Sequence, residues 1–334
     1  MFHYFIGIDI SKDWFDAAIR FKKHARTVKH NRFDNHEKGF KAFLLWLKTQ
    51  GINDFSQVFI CMEHTGLYGV PLCEFFNKQS LTYTLIPGVL VSQQGITRGK
   101  SDKTDAKKIA AFALKNHEDL RKHTLDSEVV RMLKVLLGLR KRVLKAKHAI
   151  GVSLKEIQGF ETQNVVNTIL DNSNEMLTQF AEQLEEIDRK IDEILAGQPE
   201  LKNNYELLLS VPGIGRQNAL YMIVFTKNFV SFICPKKFAA FAGIVPYRSS
   251  SGKSIHSRTK VSHKANKKMK ALLTGAVNNS LRSCGEYRQY FDRQIKKGKN
   301  EYSVKNVIRN KIVSRAFAVV KRGTPYVNTH AYMA

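Results

Sequence analysis

Four carboxylates carry the chemistry that can be read from this sequence. Tyr4-Phe5-Ile6-Gly7-Ile8-Asp9-Ile10 is an apolar, β-branched run, which predicts a buried strand that delivers one charge. Burying Asp9 costs several kcal/mol unless a cation compensates it, and no Lys or Arg lies within two residues. Gln57-Val58-Phe59-Ile60-Cys61-Met62-Glu63 repeats the pattern, a second apolar strand ending in an acid. Asp102 and Asp105 stand three apart at the start of a helical stretch running to Ala113, so one helix face can present both. Aspartates at a helix start also cap amides and suit the helix dipole. With the two strand-end acids, however, they make four hard-oxygen ligands on separate elements. Such a set suits Mg²⁺ and a two-metal phosphoryl transfer.

A second chemistry-bearing stretch lies far downstream, at Tyr247-Arg248-Ser249-Ser250-Ser251-Gly252-Lys253-Ser254-Ile255-His256-Ser257-Arg258 and on to Lys260. It is hydroxyl-rich, broken by glycine and basic. It reads either as a loop that contacts phosphates or as the carrier of a serine nucleophile whose neighbouring cations stabilise phosphoryl oxygens. Upstream, Val211-Pro212-Gly213-Ile214-Gly215-Arg216 between two helical stretches has the form of the hairpin in helix-hairpin-helix DNA-binding modules. Gly213 and Gly215 permit positive φ, and the amides before the second helix, with Arg216, suit a phosphate without reading base sequence.

The charge distribution points the same way. The chain of 334 residues carries +25, and residues 207–334 hold 24 Lys/Arg against 3 Asp/Glu, while residues 1–206 hold 30 against 26. From Leu207 to Gly285 there are 13 basic residues and no acid. A field of one sign over such a length attracts a polyanion, and nucleic acid is the expected partner. An acidic membrane surface is disfavoured because no amphipathic anchor accompanies the charge, and no apolar run reaches the length of a membrane span. Cys61, Cys73, Cys234 and Cys284 form no Cys-x-x-Cys pair, so neither zinc nor a disulfide framework is suggested and a reducing cytoplasm fits.

The elements that must position these groups follow in order. A strand, a β-meander through Trp14–Phe21 and Arg26–Phe33, a helix carrying Phe40, Phe43, Leu44 and Leu47, the Glu63 strand, a helix at Leu72–Phe76 and a strand at Leu81–Pro87 give the order of a ribonuclease-H-like α/β fold. From about 127 to 196 the chain is helical. Leu177, Phe180, Leu184, Ile187, Ile191 and Ile194 step by three and four, the seam of a coiled coil that pairs within the chain or between subunits. Basic helices follow the hydroxyl-rich stretch.

Taken together, Ile6-Gly7-Ile8-Asp9, Cys61-Met62-Glu63-His64-Thr65-Gly66, Lys100-Ser101-Asp102-Lys103-Thr104-Asp105-Ala106, Val211-Pro212-Gly213-Ile214-Gly215 and Phe241-Ala242-Gly243-Ile244-Val245-Pro246 leading to Ser251-Gly252 resemble the DEDD transposases of the family that includes the Piv DNA invertase and its insertion-sequence relatives. The resemblance spans nearly the whole chain. It implies a ribonuclease-H-like, Holliday-junction-resolvase-like catalytic domain at 1–120, a helical coiled-coil arm at 121–200, and a mainly α, basic transposase domain at 201–334. It implies that Asp9, Glu63, Asp102 and Asp105 bind Mg²⁺ and that Ser251 is the catalytic serine. Because Ser249, Ser250 and Ser251 are consecutive, a slip in register would move that assignment. Members recombine DNA, some directed by a structured non-coding RNA. The resemblance therefore implies DNA as substrate, a guide RNA in some relatives, and strand exchange through a phosphoserine. The acids and the serine are distant in sequence, so folding or a subunit interface must unite them. A homo-oligomer, dimer or tetramer, is expected, acting in the cytoplasm on nucleoid DNA. Gly213, Gly215, Arg216, Arg248, Lys253, Arg258 and Lys260 are the expected nucleic-acid contacts.

Overall fold

A computed structural model describes residues 1–24, 27–64, 66–88, 90, 102–247, 250–251, 255–256, 260–261 and 265–328. The chain divides into two compact units, Met1–Leu125 and Asp126–Ala334.

The first unit is built on a five-stranded mixed sheet. Its strands are β1 (Tyr4–Ile10), β2 (Trp14–Phe21), β3 (Val28–Asp34), β4 (Val58–Glu63) and β5 (Thr82–Ile86), in the spatial order β3-β2-β1-β4-β5. The first three run antiparallel, and β4 and β5 are parallel to β1. Alternation along β1 explains both layers. Ile6, Ile8 and Ile10 face a core shared with Phe40, Phe43 and Leu47 of α1 (Glu37–Thr49) and Leu72 and Phe76 of α2 (Val70–Lys78). Phe5 faces the opposite side, where Phe59 and Cys61 meet Ile109, Phe112 and Ala113 of α3 (Asp102–Asn116).

Gly7 fixes how closely α3 approaches. A Cβ there would stand 2.1 Å from the Ala110 amide nitrogen and 2.3 Å from the Ala106 carbonyl oxygen, and the facing side chains are themselves small: Ala18, Ala106 and Ala110, all fully buried. Gly7→Ala must therefore push a helix backbone off the sheet. We expect it to destabilise the protein by about 3 kcal/mol, the upper range for overpacking, read as a lowered urea midpoint. An unchanged midpoint would show that α3 is not seated as described.

The second unit is helical. α4 (Glu128–Phe160) and α5 (Gln163–Ala196) form a long hairpin turning at Glu161-Thr162, with Ser127 capping α4 through the Val130 amide. The expected seam is present in part: Ile187 and Ile191 are buried, Phe180, Leu184 and Ile194 are partly so, and all join one core with Leu133 and Leu137 of α4. That core continues into α6 (Pro199–Leu209), α7 (Arg216–Thr226), α8 (Pro235–Phe241), α9 (Lys267–Ser283), α10 (Gly285–Lys296) and α11 (Glu301–Arg322). The base of the hairpin and the basic helices thus share one interior. Between α8 and α9 the described residues pair in two nested antiparallel ladders, β6 (Pro246–Tyr247) with β9 (Lys260–Val261) and β7 (Ser250–Ser251) with β8 (Ile255–His256). Among the described residues no helix is long and apolar enough to cross a membrane.

Candidate active site

The seating of α3 brings the four carboxylates together. Asp9 lies two residues beyond Gly7, ~6.6 Å along the strand. Asp102 lies four residues before Ala106, ~6 Å along the helix axis. Both stand on the same side of the contact between glycine and alanine. Ile8 pairs with Met62, so Asp9 and Glu63 occupy neighbouring strand ends, and alternation turns both toward the α3 face. Gly88 leaves room for the second acid: a Cβ there would fall 2.0 Å from Glu63 Oε1.

The electrostatics register this convergence. The carboxyl of Asp9 is pushed up to about 6, first by burial and then by the negative charges of Asp102, Asp105, Glu63 and Asp16. The charges of all three expected partners therefore reach Asp9. A half-buried acid facing other acids is a place where a cation lowers the energy of the folded state. The donor set is all carboxylate oxygen, the chemistry that suits Mg²⁺. In that respect the residues fit the expected metal.

Side-chain cations meet part of this charge. Arg32 Nη2 donates to Asp102 Oδ2 at 3.1 Å, and Lys108 Nζ donates to Asp105 Oδ1 at 2.9 Å. Among the described residues no three His, Cys, Asp or Glu side chains are drawn together tightly enough to enclose a metal as they stand.

Sequence reasoning missed the group that anchors Arg32. Asp16, 1% exposed, is paired in register with Asp9 on β2. One of its oxygens meets His30 Nε2 at 2.6 Å, and the other accepts from Arg32 Nε and Nη2 at 3.0 and 2.8 Å. Arg32 also lies over the Trp14 ring, 5.1 Å from its centroid, and so links sheet to helix start. The available signal was an acid between Phe15 and Ala17 in an apolar strand, the same signature that marked Asp9.

The expected nucleic-acid residues fare differently. Gly213, at φ 91°, turns the α6–α7 hairpin, and a Cβ there would sit 2.6 Å from the Ala276 carbonyl oxygen, so it also seats the hairpin on α9. Gly215 is the N-cap of α7, with open space where a Cβ would be. Arg216 is engaged within the chain, donating to Asp192 Oδ1 at 2.6 Å and to the Asp188 carbonyl at 3.0 Å. Arg248, Lys253 and Arg258 lie outside the described residues, as does Ser249. Ser251 pairs with Ile255 in the inner ladder, and Lys260 lies in the outer one.

Comparison with known proteins gives this arrangement a family. Residues 6–156 match a transposase profile of the DEDD IS110 type, and residues 205–292 match the profile described as the transposase IS116/IS110/IS902 family. The chain belongs to the IS110 family of transposases. It is therefore a DNA transposase or recombinase of the DEDD kind, a class distinct from the serine recombinases. The pilin gene-inverting proteins of Moraxella bovis and Moraxella lacunata are each 27% identical over 327 residues, covering 96% of this chain and 97% of theirs. An uncharacterized 43.6 kDa protein of insertion element IS110 from Streptomyces coelicolor is 27% identical over 170 residues, 51% of this chain and 40% of that protein. DEDD transposases generally use a divalent metal. The first IS110 profile begins within β1 and ends within α4, so it takes in part of β1, the other four strands and all four acids.

Proposed function

We propose that this IS110-family transposase cuts and rejoins DNA at insertion-sequence or inversion sites through a Mg²⁺-dependent phosphoserine mechanism. The observation that carries the reading is the convergence of Glu63, Asp102 and Asp105 on a half-buried Asp9. The strand order β3-β2-β1-β4-β5, with only the first three antiparallel, supports a ribonuclease-H-like, Holliday-junction-resolvase-like catalytic domain. The functional division is a catalytic domain at 1–120, an arm at 121–200 and a transposase domain at 201–334.

Asp9, Glu63, Asp102 and Asp105 would hold Mg²⁺, which when bound polarises the scissile phosphate and neutralises charge developing on its oxygens. Arg32 and Lys108 hold Asp102 and Asp105 at the helix start until then, offsetting repulsion among the acids. The Ser251 hydroxyl attacks phosphorus. A serine–phosphate bond replaces the bond to the 3′ oxygen, which departs as a hydroxyl while the serine gives up its proton. The ester retains the energy of the broken linkage, so rejoining needs no nucleotide cofactor. The protein works as a homo-oligomer, dimer or tetramer. A structured guide RNA, the mode of some relatives, is tested by sequencing the nucleic acid that copurifies with the chain.

Binding rests on phosphate contacts from residues 207–334, with Gly215, Arg248, Lys253, Arg258 and Lys260 among them. Each phosphate neutralised on duplex DNA contributes about −0.9 to the slope of log K against log salt. We expect a slope steeper than about −5 from fluorescence anisotropy between 50 and 200 mM NaCl, the range for six or more contacts. A nearly flat dependence would contradict this reading. Strand cleavage of a supercoiled plasmid carrying the element's ends, with Mg²⁺ and with chelator, tests the activity itself.

A further inference from the structure

The helical hairpin of the second unit is segregated by charge. α4 holds eight Lys/Arg against two acids, and α5 holds eight acids against two Lys/Arg. The two helices resolve their charges differently. Near the base of α5, Glu186 pairs with Lys190 at 2.7 Å, Glu193 with Arg189 at 2.6 Å, Asp192 with Arg216 at 2.6 Å and Asp188 with Arg140 at 2.9 Å. These acids find their cations inside the chain. The lysines of α4 do not. Lys134, Lys141, Lys145 and Lys155 are all exposed, and among the described residues none has a carboxylate within ion-pair distance.

Their spacing adds order to this excess. At 100° per residue these four lysines, with His148 between them, fall within about a quarter of the helix circumference. The stripe runs from Lys134 to Lys155, about 31 Å at 1.5 Å per residue, close to the ~34 Å of one duplex turn. Two turns along from Lys134, the charge of Lys141 reaches Lys268 of α9, whose ammonium is shifted down by burial and then by the charges of Lys141 and Arg140. Lys268 itself lies over the Tyr221 ring at 5.0 Å. Arg140 is already paired with Asp188, but Lys141 and Lys268 have no carboxylate within ion-pair distance among the described residues, and two such ammoniums favour a polyanion.

We infer that the outward face of α4, from Lys134 to Lys155 and joined by Lys268, is a second DNA-binding track that runs along the backbone of duplex flanking the exchange site. The track rests on the DNA-binding reading above but lies upstream of the basic region from residue 207. It contacts phosphates and reads no bases, because lysines present point charges without the bidentate geometry that base recognition uses. The acidic face of α5 on a second copy is the competing occupant. Ion pairs within the chain already take up four of its eight acids, Glu186, Asp188, Asp192 and Glu193, which leaves only Asp171, Glu175, Glu182 and Glu185 to meet the stripe.

The test replaces Lys134, Lys141, Lys145 and Lys155 together with Gln in the full-length chain, with circular dichroism to verify the fold. The salt slope on a long duplex should flatten by about 2 to 4, since each lost phosphate contact removes about 0.9. The nuclease footprint should shorten by up to one helical turn, and affinity for a short duplex confined to the exchange site should change less than twofold. An unchanged slope and footprint would overturn the inference. So would unchanged DNA binding accompanied by a smaller sedimentation coefficient, which would assign the stripe to a second copy. If the wild-type chain itself fails to bind duplex DNA, the failure belongs to the proposed function and the track falls with it.

Discussion

Asp9→Asn should abolish strand cleavage and at the same time stabilise the metal-free protein. Metal-assisted charge stabilisation contributes several kcal/mol to phosphoryl transfer, so removing a ligand that all the other acids converge on should lower cleavage by about 10³-fold or more. Duplex affinity should stay within about twofold, because the basic region is untouched. The stability gain follows from the carboxyl itself, raised from 3.8 to about 6. A group whose pKa is raised on folding is protonated more readily in the native state, so between about pH 4 and 6 the native state binds the extra proton and loses stability as pH rises. At pH 8 the folded protein carries the full cost of a crowded charge. Discounted for its partial exposure, that cost is about 1–2 kcal/mol. The Asn variant should exceed wild type by that amount in urea melts with chelator at pH 8, and the gap should close near pH 4. Glu63→Gln should share the loss of cleavage. An Asp9→Asn protein less stable than wild type at pH 8 would make Asp9 a structural residue.

Ser251→Ala should bind DNA as wild type does and form no covalent adduct. Wild type, stopped during turnover and digested with protease, should leave a phosphoserine stub on a 5′ end. An unassisted hydroxyl is a weak nucleophile, so loss of the oxygen leaves no competing route through the same intermediate. Ser249→Ala and Ser250→Ala are necessary controls, because the three hydroxyls are consecutive. Adduct formation that survives at Ser251→Ala and fails at Ser250→Ala would move the nucleophile by one residue. Cleavage that needs none of the three and leaves only free ends, with no adduct even in wild type, would replace the serine with water.

The four converging acids were legible in the sequence for a physical reason. An acid in an apolar strand is costly, and two such strands followed by paired aspartates at a helix start leave few readings other than a cation site. The succession of strands and helices in the first unit was legible too, since alternation and turn residues mark it. What could not be read depends on contacts distant in sequence. Asp16 and Arg32 become site residues only through strand register, which sets them beside Asp9 and beneath α3. Gly88 makes room for Glu63 from another element. Gly213 permits a turn, as its type implied, but its lack of a Cβ also serves packing against α9. Arg216, read as a phosphate contact, is paired with Asp188 and Asp192 because α5 and α7 meet in the fold. Net charge by halves likewise concealed the α4 stripe, since the acids of α5 cancel it in any sum over residues 1–206.

The most direct test of the metal-site assignment is a Mn²⁺ titration of the full-length protein, followed by electron paramagnetic resonance of the free ion. Wild type and Ser251→Ala should each take up Mn²⁺ in stoichiometric amount, and Mg²⁺ should compete it off. Asp9→Asn should weaken uptake by at least tenfold, as should Asp102→Asn. Equal uptake by wild type and Asp9→Asn would place the ion elsewhere and contradict the assignment of these four acids as its ligands.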